Sequence, residues 1–93
     1  MKKQAVYVLR QGNDPDYIEL FSSIEGAVNY MFIELEIEED FFVAGEAKQE
    51  VIDYAKQREQ NKYAEYLFCD ADQFFPEEIA NRYPFTIQKR ILY

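Results

Sequence analysis

Apolar and polar residues alternate from Gln4 to Arg10 (QAVYVLR), a stretch rich in β-branched and aromatic side chains, and the same character returns from Tyr17 to Phe21 (YIELF). Between them, Gln11-Gly12-Asn13-Asp14-Pro15-Asp16 gathers the residues that turns favour, so this part of the chain predicts a β-hairpin. The period then lengthens. Ile24, Ala27, Val28, Met31 and Leu35 recur at helical spacing, and Ser22 with Glu25 three residues on fits a capping box, which predicts a helix from about Ile24 to Leu35 or Glu38. Gly26 falls in the first turn of that helix, where its cost is smallest. Over Glu34-Leu35-Glu36-Ile37-Glu38 two readings compete. As a strand, the segment sets three carboxylates on one face about 6 to 7 Å apart; as a helix, it stacks Glu34 on Glu38. Phe41 to Gly45 then reads as a short apolar strand or a tightly packed connection.

The second half opens with the clearest helix of the chain, Glu46 to Gln60, whose Ala47, Val51, Ile52, Tyr54 and Ala55 form the inward face. Its late Lys56 and Arg58 suit the negative end of the helix dipole. Lys62 to Cys69 (KYAEYLFC) reads as a strand, and Asp70-Ala71-Asp72-Gln73 as a polar turn. Pro76-Glu77-Glu78 is a helix start, with proline at the first position, and the helix runs to about Tyr83, where Pro84 stops it. Phe85 to Tyr93 alternates again as a last strand with Phe85, Ile87 and Ile91 on one side. The order predicts a single α+β domain over residues 1–93, a mostly antiparallel sheet of about four strands with two to three helices packed on it.

Composition narrows the function. With 48% apolar residues and eight each of Phe and Tyr, the 93 residues suffice for one packed core. There is no histidine, which removes the commonest general base, the usual zinc imidazole and the standard activator of a nucleophilic Ser or Cys. The lone Cys69 lies in an apolar strand pattern and reads as a buried structural thiol, with no internal partner to suggest an oxidising compartment. Met1-Lys2-Lys3 resembles the start of a signal peptide, but the apolar run behind it is too short. No stretch reaches the length of a membrane span, so the expectation is a cytoplasmic chain used whole.

Charge is the strongest departure from an ordinary domain. The net charge is -8, from 18 acids and 10 bases. Between Arg10 and Lys48 there is no base at all, and every acid from Asp14 to Glu46 goes unopposed. Residues 48–93, by contrast, hold a near-balanced mixture of the two signs. Such a field repels polyanions, so direct nucleic-acid binding and attachment to an anionic membrane are not expected, and a basic protein is the expected partner.

The competing chemistries find little equipment. Asp70 and Asp72 with Glu77 or Glu78, or the cluster Glu38-Glu39-Asp40, offer oxygen ligands to calcium or magnesium, but neither has the spacing and glycine of a calcium loop. Paired carboxylates for glycoside hydrolysis need a cleft and one acid of raised pKa, for which the chain is short. No glycine-rich phosphate loop is present. No enzyme, cofactor or metal is therefore expected. A row of carboxylates can instead take the place of DNA phosphates before the Lys and Arg residues of another protein.

In its size, its base-free segment from 11 to 47, its aromatic richness and its acidic run from Glu34 to Asp40, the chain resembles the small acidic DNA-mimic proteins of bacteriophages, in character nearest the anti-restriction proteins of T-even phages. The resemblance implies an inhibitor that occupies the DNA-binding site of a restriction nuclease or other DNA-binding protein. It also implies a homodimer acting in the cytoplasm of an infected bacterium. The residues that would imitate phosphates are Glu34, Glu36, Glu38, Glu39 and Asp40, supported by Asp14, Asp16 and Glu19. The near-neutral second half departs from an evenly acidic mimic. The alternative is an acidic protein-interaction module, such as a toxin-neutralising immunity protein or an antitoxin, which needs one compact patch instead of long lines of charge.

Overall fold

The computed structural model describes residues 4–12, 14–39, 45–69 and 84–92, with the backbone alone over 35–39 and 45–47. The chain runs β1 (Gln4–Gln11), β2 (Asp14–Phe21), α1 (Ile24–Glu39), α2 (Gly45–Glu59) and β3 (Phe85–Leu92). The strands form an antiparallel sheet in the order β2-β1-β3, and the architecture is α+β. β1 is central because it alone pairs on both sides, and it carries the buried Tyr7, Val8 and Leu9. β3 pairs along its whole length with β1, from Gln4 opposite Leu92 to Gln11 opposite Phe85.

The hairpin is tighter than the turn residues suggest. β2 begins at Asp14, not at Tyr17, and Asp14 faces Gln11 across the ladder. The next pair is Arg10 with Ile18, so Pro15, Asp16 and Tyr17 stand without partners as a bulge. The Asp14 carboxylate accepts the Asp16 N–H at 3.1 Å, holding that bulge from within. Gly12 closes the tip by donating its N–H to the Pro84 carbonyl at 3.0 Å. A Cβ on Gly12 would lie 3.0 Å from Pro84 Cγ, so a larger residue here would push the Pro84 ring back by a few tenths of an ångström.

α1 starts at Ile24, as the pattern predicts, but its cap lies one residue later than the capping box implies. Its cap is Ser23, whose Oγ accepts the Gly26 N–H at 3.1 Å. Gly26 occupies the position where a capping box has Glu, and a Cβ there would sit 3.2 Å from Ser23 Oγ and 3.4 Å from Phe21 Cδ1. Glu25 is thereby left to pair with Lys56 of α2. The helix continues through Glu39, so the ambiguous segment 34–38 is helical. Its buried stripe is Ile24, Ala27, Val28, Met31 and Phe32, and it joins Val51, Ile52 and Ala55 of α2 and Leu9, Phe85 and Ile87 of the sheet in one core.

α2 spans Gly45–Glu59, close to the expected Glu46–Gln60. The strand expected over Lys62–Cys69 is reduced to a single bridge, Phe68 opposite Ile87, and among the described residues the sheet has three strands where about four were expected. Local polar groups account for the loss. Asn61 takes the Tyr63 N–H on its side chain and the Ala64 N–H on its carbonyl, both at 3.0 Å, and Arg58 Nε takes the Tyr66 carbonyl at 2.9 Å. Backbone groups committed to turns are not free for a ladder, and only Leu67 and Phe68 reach β3. Cys69, expected to be buried in that strand, is exposed just beyond the bridge. Ile91, expected on the buried side of the last strand, is part-exposed, because the helices cover the Phe85 and Ile87 end of β3. The expected apolar connection at 41–44, the turn at 70–73 and the helix from Pro76 to Tyr83 lie outside the described residues.

Candidate functional site

The sheet order makes β2 an edge strand, and α1 packs against both β1 and β2. Two base-free segments of the sequence thus become neighbours in space. On the helix side of β2, Tyr17 and Phe21 pack against the core, with Tyr17 edge-on to Phe85 at 6.0 Å between ring centroids and Phe21 tilted against Tyr30 of α1 at 5.4 Å. Glu19 lies between Tyr17 and Phe21 in the alternation of the strand and is exposed.

This aromatic seam gathers carboxylates about it. The Tyr30 phenol donates to the Glu34 carboxylate one helical turn on, and this bond, with burial and the charges of Glu34 and Glu19, raises its pKa above the ordinary tyrosine value. Tyr17 is raised as well, by burial first and then by the charges of Glu34 and Glu19. Its hydroxyl is buried without a hydrogen-bond partner among the described residues, although Tyr30 and Glu34 stand beside it. Both phenols therefore stay protonated beside the carboxylates.

The other expected contact residues are distributed as follows. Asp14 and Asp16 are exposed at the hairpin end of β2. There Asp14 borders an open cleft of about 310 Å³ that also includes Arg10, Tyr17, Tyr66 and Thr86. Arg10 is a base within the acidic neighbourhood, contributed by β1 and invisible in the run from 11 to 47. Glu36, Glu38 and Glu39 belong to the last turns of α1, where only the backbone is described, and Asp40 lies outside the described residues. A helical backbone keeps positions 34 and 38 on a shared face and sets position 36 on the other side, so the straight row of three that a strand would give is not formed. The fold brings Glu19 and Glu34 to the same two tyrosines, with Asp14 and Asp16 farther along β2.

Two lysines are engaged in ion pairs among the described residues. Lys56 pairs with Glu25, raising its own pKa and holding the Glu25 carboxyl below the usual range. Lys89 of β3 meets Glu59 at 3.2 Å, and Glu59 also accepts the Tyr7 hydroxyl at 2.5 Å. The Arg58 guanidinium lies over the Tyr54 ring at 5.6 Å. Among the described residues Asp14, Asp16, Glu19 and Glu34 form no ion pair. The tyrosines of the seam were missed in the sequence as part of the acidic surface. Tyr30 and Glu34 are four apart, a spacing that announces contact once a helix is accepted. Among the described residues Tyr63 is the exposed tyrosine, 83% exposed.

Among the described residues no group of three potential metal ligands occurs, and no helix is long and apolar enough to cross a membrane. The clusters at Asp70, Asp72, Glu77 and Glu78 lie outside the described residues. No protein-family model, curated protein or solved structure matches the chain.

Proposed function

We propose that the protein is a non-enzymatic inhibitor whose acidic surface, built on β2 and α1, occupies the DNA-binding groove of a nuclease or another DNA-binding protein. The observation that carries this reading is a set of carboxylates left unpaired. Asp14, Asp16, Glu19 and Glu34 have no ion pair among the described residues, while Lys56 is held by Glu25 at the start of α1 and Lys89 of β3 by Glu59 of α2. Unpaired charge gains little for the fold itself, whereas a basic groove would exchange its counterions for these carboxylates as it does for phosphates.

A second reading is favoured by the helical form of 34–38. It breaks the line of three carboxylates, and a short patch in place of a line suits an immunity protein or antitoxin facing a small basic toxin. One experiment separates the two. Immobilised protein captures its partner from a bacterial lysate, a salt gradient releases it, and duplex DNA is offered to the complex. Release by salt and displacement by DNA are expected of a mimic. A partner that binds this protein and DNA simultaneously refutes mimicry, and a partner still held by a folded Glu19→Lys/Glu34→Lys variant refutes the assignment of the surface.

A further inference from the structure

From the geometry of β2 we infer that its outer edge receives an extended basic segment of the partner as an added strand, an inference that rests on reading the acidic surface as the contact for a basic protein. β2 is the most exposed strand of the sheet, and among the described residues nothing pairs with its outer side. An exposed strand edge is a row of unpaired N–H and C=O groups, and proteins usually blunt it with charge, proline or a bulge. Here the blunting is confined to the hairpin end, where Pro15 and the bulge over Pro15, Asp16 and Tyr17 lie. From Ile18 to Phe21 the strand is in regular register with β1. That is a stretch of the length over which peptides commonly add to a sheet.

The side chains specify what would fit. Ile18 and Leu20 alternate on one face of the strand, 47% and 64% exposed, and call for apolar residues at alternate positions of the added strand. Asp16, just before that stretch, and Glu19, within it on the face opposite Ile18 and Leu20, are exposed and unpaired among the described residues and call for Lys or Arg. A second copy of β2 meets the first requirement and fails the second. Self-pairing would lay Asp14, Asp16 and Glu19 of both copies on strands about 4.8 Å apart with no base on either strand. The charge thus refuses a second copy and admits a cationic strand of alternating apolar residues, which sharpens the partner from a basic protein to one offering such a segment.

The test uses the full chain, isotope-labelled for NMR, and two end-capped heptapeptides of alternating Lys and Val. The peptides are identical except that one is N-methylated at alternate residues, so that it keeps its charge but cannot donate hydrogen bonds along one edge. The unmodified peptide is expected to shift the β2 resonances and slow amide exchange at alternate β2 residues. The methylated peptide should bind about tenfold more weakly, the loss of one to two hydrogen bonds. An Ile18→Ser/Leu20→Ser variant, whose replaced side chains are already exposed, should lose affinity for the unmodified peptide. Equal binding of the two peptides, shifts centred on α1 with β2 unchanged, or β2 shifts that grow with protein concentration in the absence of peptide would each overturn the inference. If neither peptide binds while the lysate partner is still held and displaced by DNA, strand addition fails and the inhibitor reading stands. If the unmodified peptide binds along β2 while the lysate partner is indifferent to DNA, the reverse holds.

Discussion

Replacing Tyr7 by Phe should weaken the fold at pH 8 and cease to do so in alkali. Tyr7 is 8% exposed in the middle of β1, and its hydroxyl donates to Glu59 Oε2 at 2.5 Å across to α2. Burial first, then the hydrogen bond and charge of Glu59 and the charge of Glu25, push the phenol from its ordinary 10.0 up to about 12. The folded chain thus holds this proton where the unfolded chain has released it. Stability from the group is complete below the unfolded value and is lost as pH rises through the folded one. At about 1.36 kcal/mol per unit, a two-unit displacement amounts to roughly 2.7 kcal/mol between pH 10 and 12. At pH 8 the Phe variant loses a hydrogen bond to a charged acceptor. Such a bond is worth about 1.5 to 3 kcal/mol when buried and nearer the low end here, because Glu59 also keeps Lys89 and solvent. Urea unfolding of both proteins, followed by circular dichroism at steps from pH 8 to 12, should show the variant less stable by about 1 to 2 kcal/mol at first, the gap closing and then reversing. Comparing the two removes the titrations they share. A gap that stays constant across this range refutes the claim that the Tyr7 proton is held by the fold.

Three further outcomes follow from the same geometry. Ser23→Ala should cost about 1 kcal/mol in thermal or urea unfolding, whereas Ser22→Ala should stay within about 0.5, because the cap is at Ser23. Tyr17→Phe should leave stability unchanged or raise it by up to about 1 kcal/mol, since it removes a buried hydroxyl without a partner among the described residues; a loss larger than that would show that the hydroxyl is bonded after all. Phe32→Ala, at a fully buried site between the helices and the sheet, should cost about 3 to 5 kcal/mol and be visible as a lowered midpoint of urea unfolding.

The parts of the fold legible in the sequence are those whose pattern is set by one buried face. The β1 alternation, the α2 stripe of Val51, Ile52 and Ala55, and the β3 segment starting at Phe85 each follow from packing on a single side. The parts that were misread turn on short-range polar bonds that compete with a ladder or a cap. Asn61 and Arg58 took the backbone groups that a strand over 62–69 would have used, and Ser23, not Ser22, found the free N–H of Gly26. Pro15 read as turn, yet it sits in the bulge of an edge strand, where a missing donor costs nothing to the sheet. For the candidate site, the acid residues were legible as a run, but their neighbours were not. Arg10 comes beside Asp14 from across the hairpin, and Lys56 reaches Glu25 from α2, contacts that a linear count has no means of registering.

Those two contacts change what the run of acids amounts to. The segment from 11 to 47 contributes its charge unequally. Glu25 is withdrawn by Lys56 at the start of α1, and Asp14 shares its cleft with Arg10, whereas Glu19 and Glu34 meet across the aromatic seam with no base between them among the described residues. Mutual repulsion there is relieved by solvent and counterions while the protein is alone. A basic partner would relieve it further by releasing those counterions, so salt should weaken binding through Glu19 and Glu34 more than through Asp14 or Glu25. The strength of the surface therefore lies in the middle of β2 and the later turns of α1, where topology joins two acidic stretches that the sequence keeps fifteen residues apart.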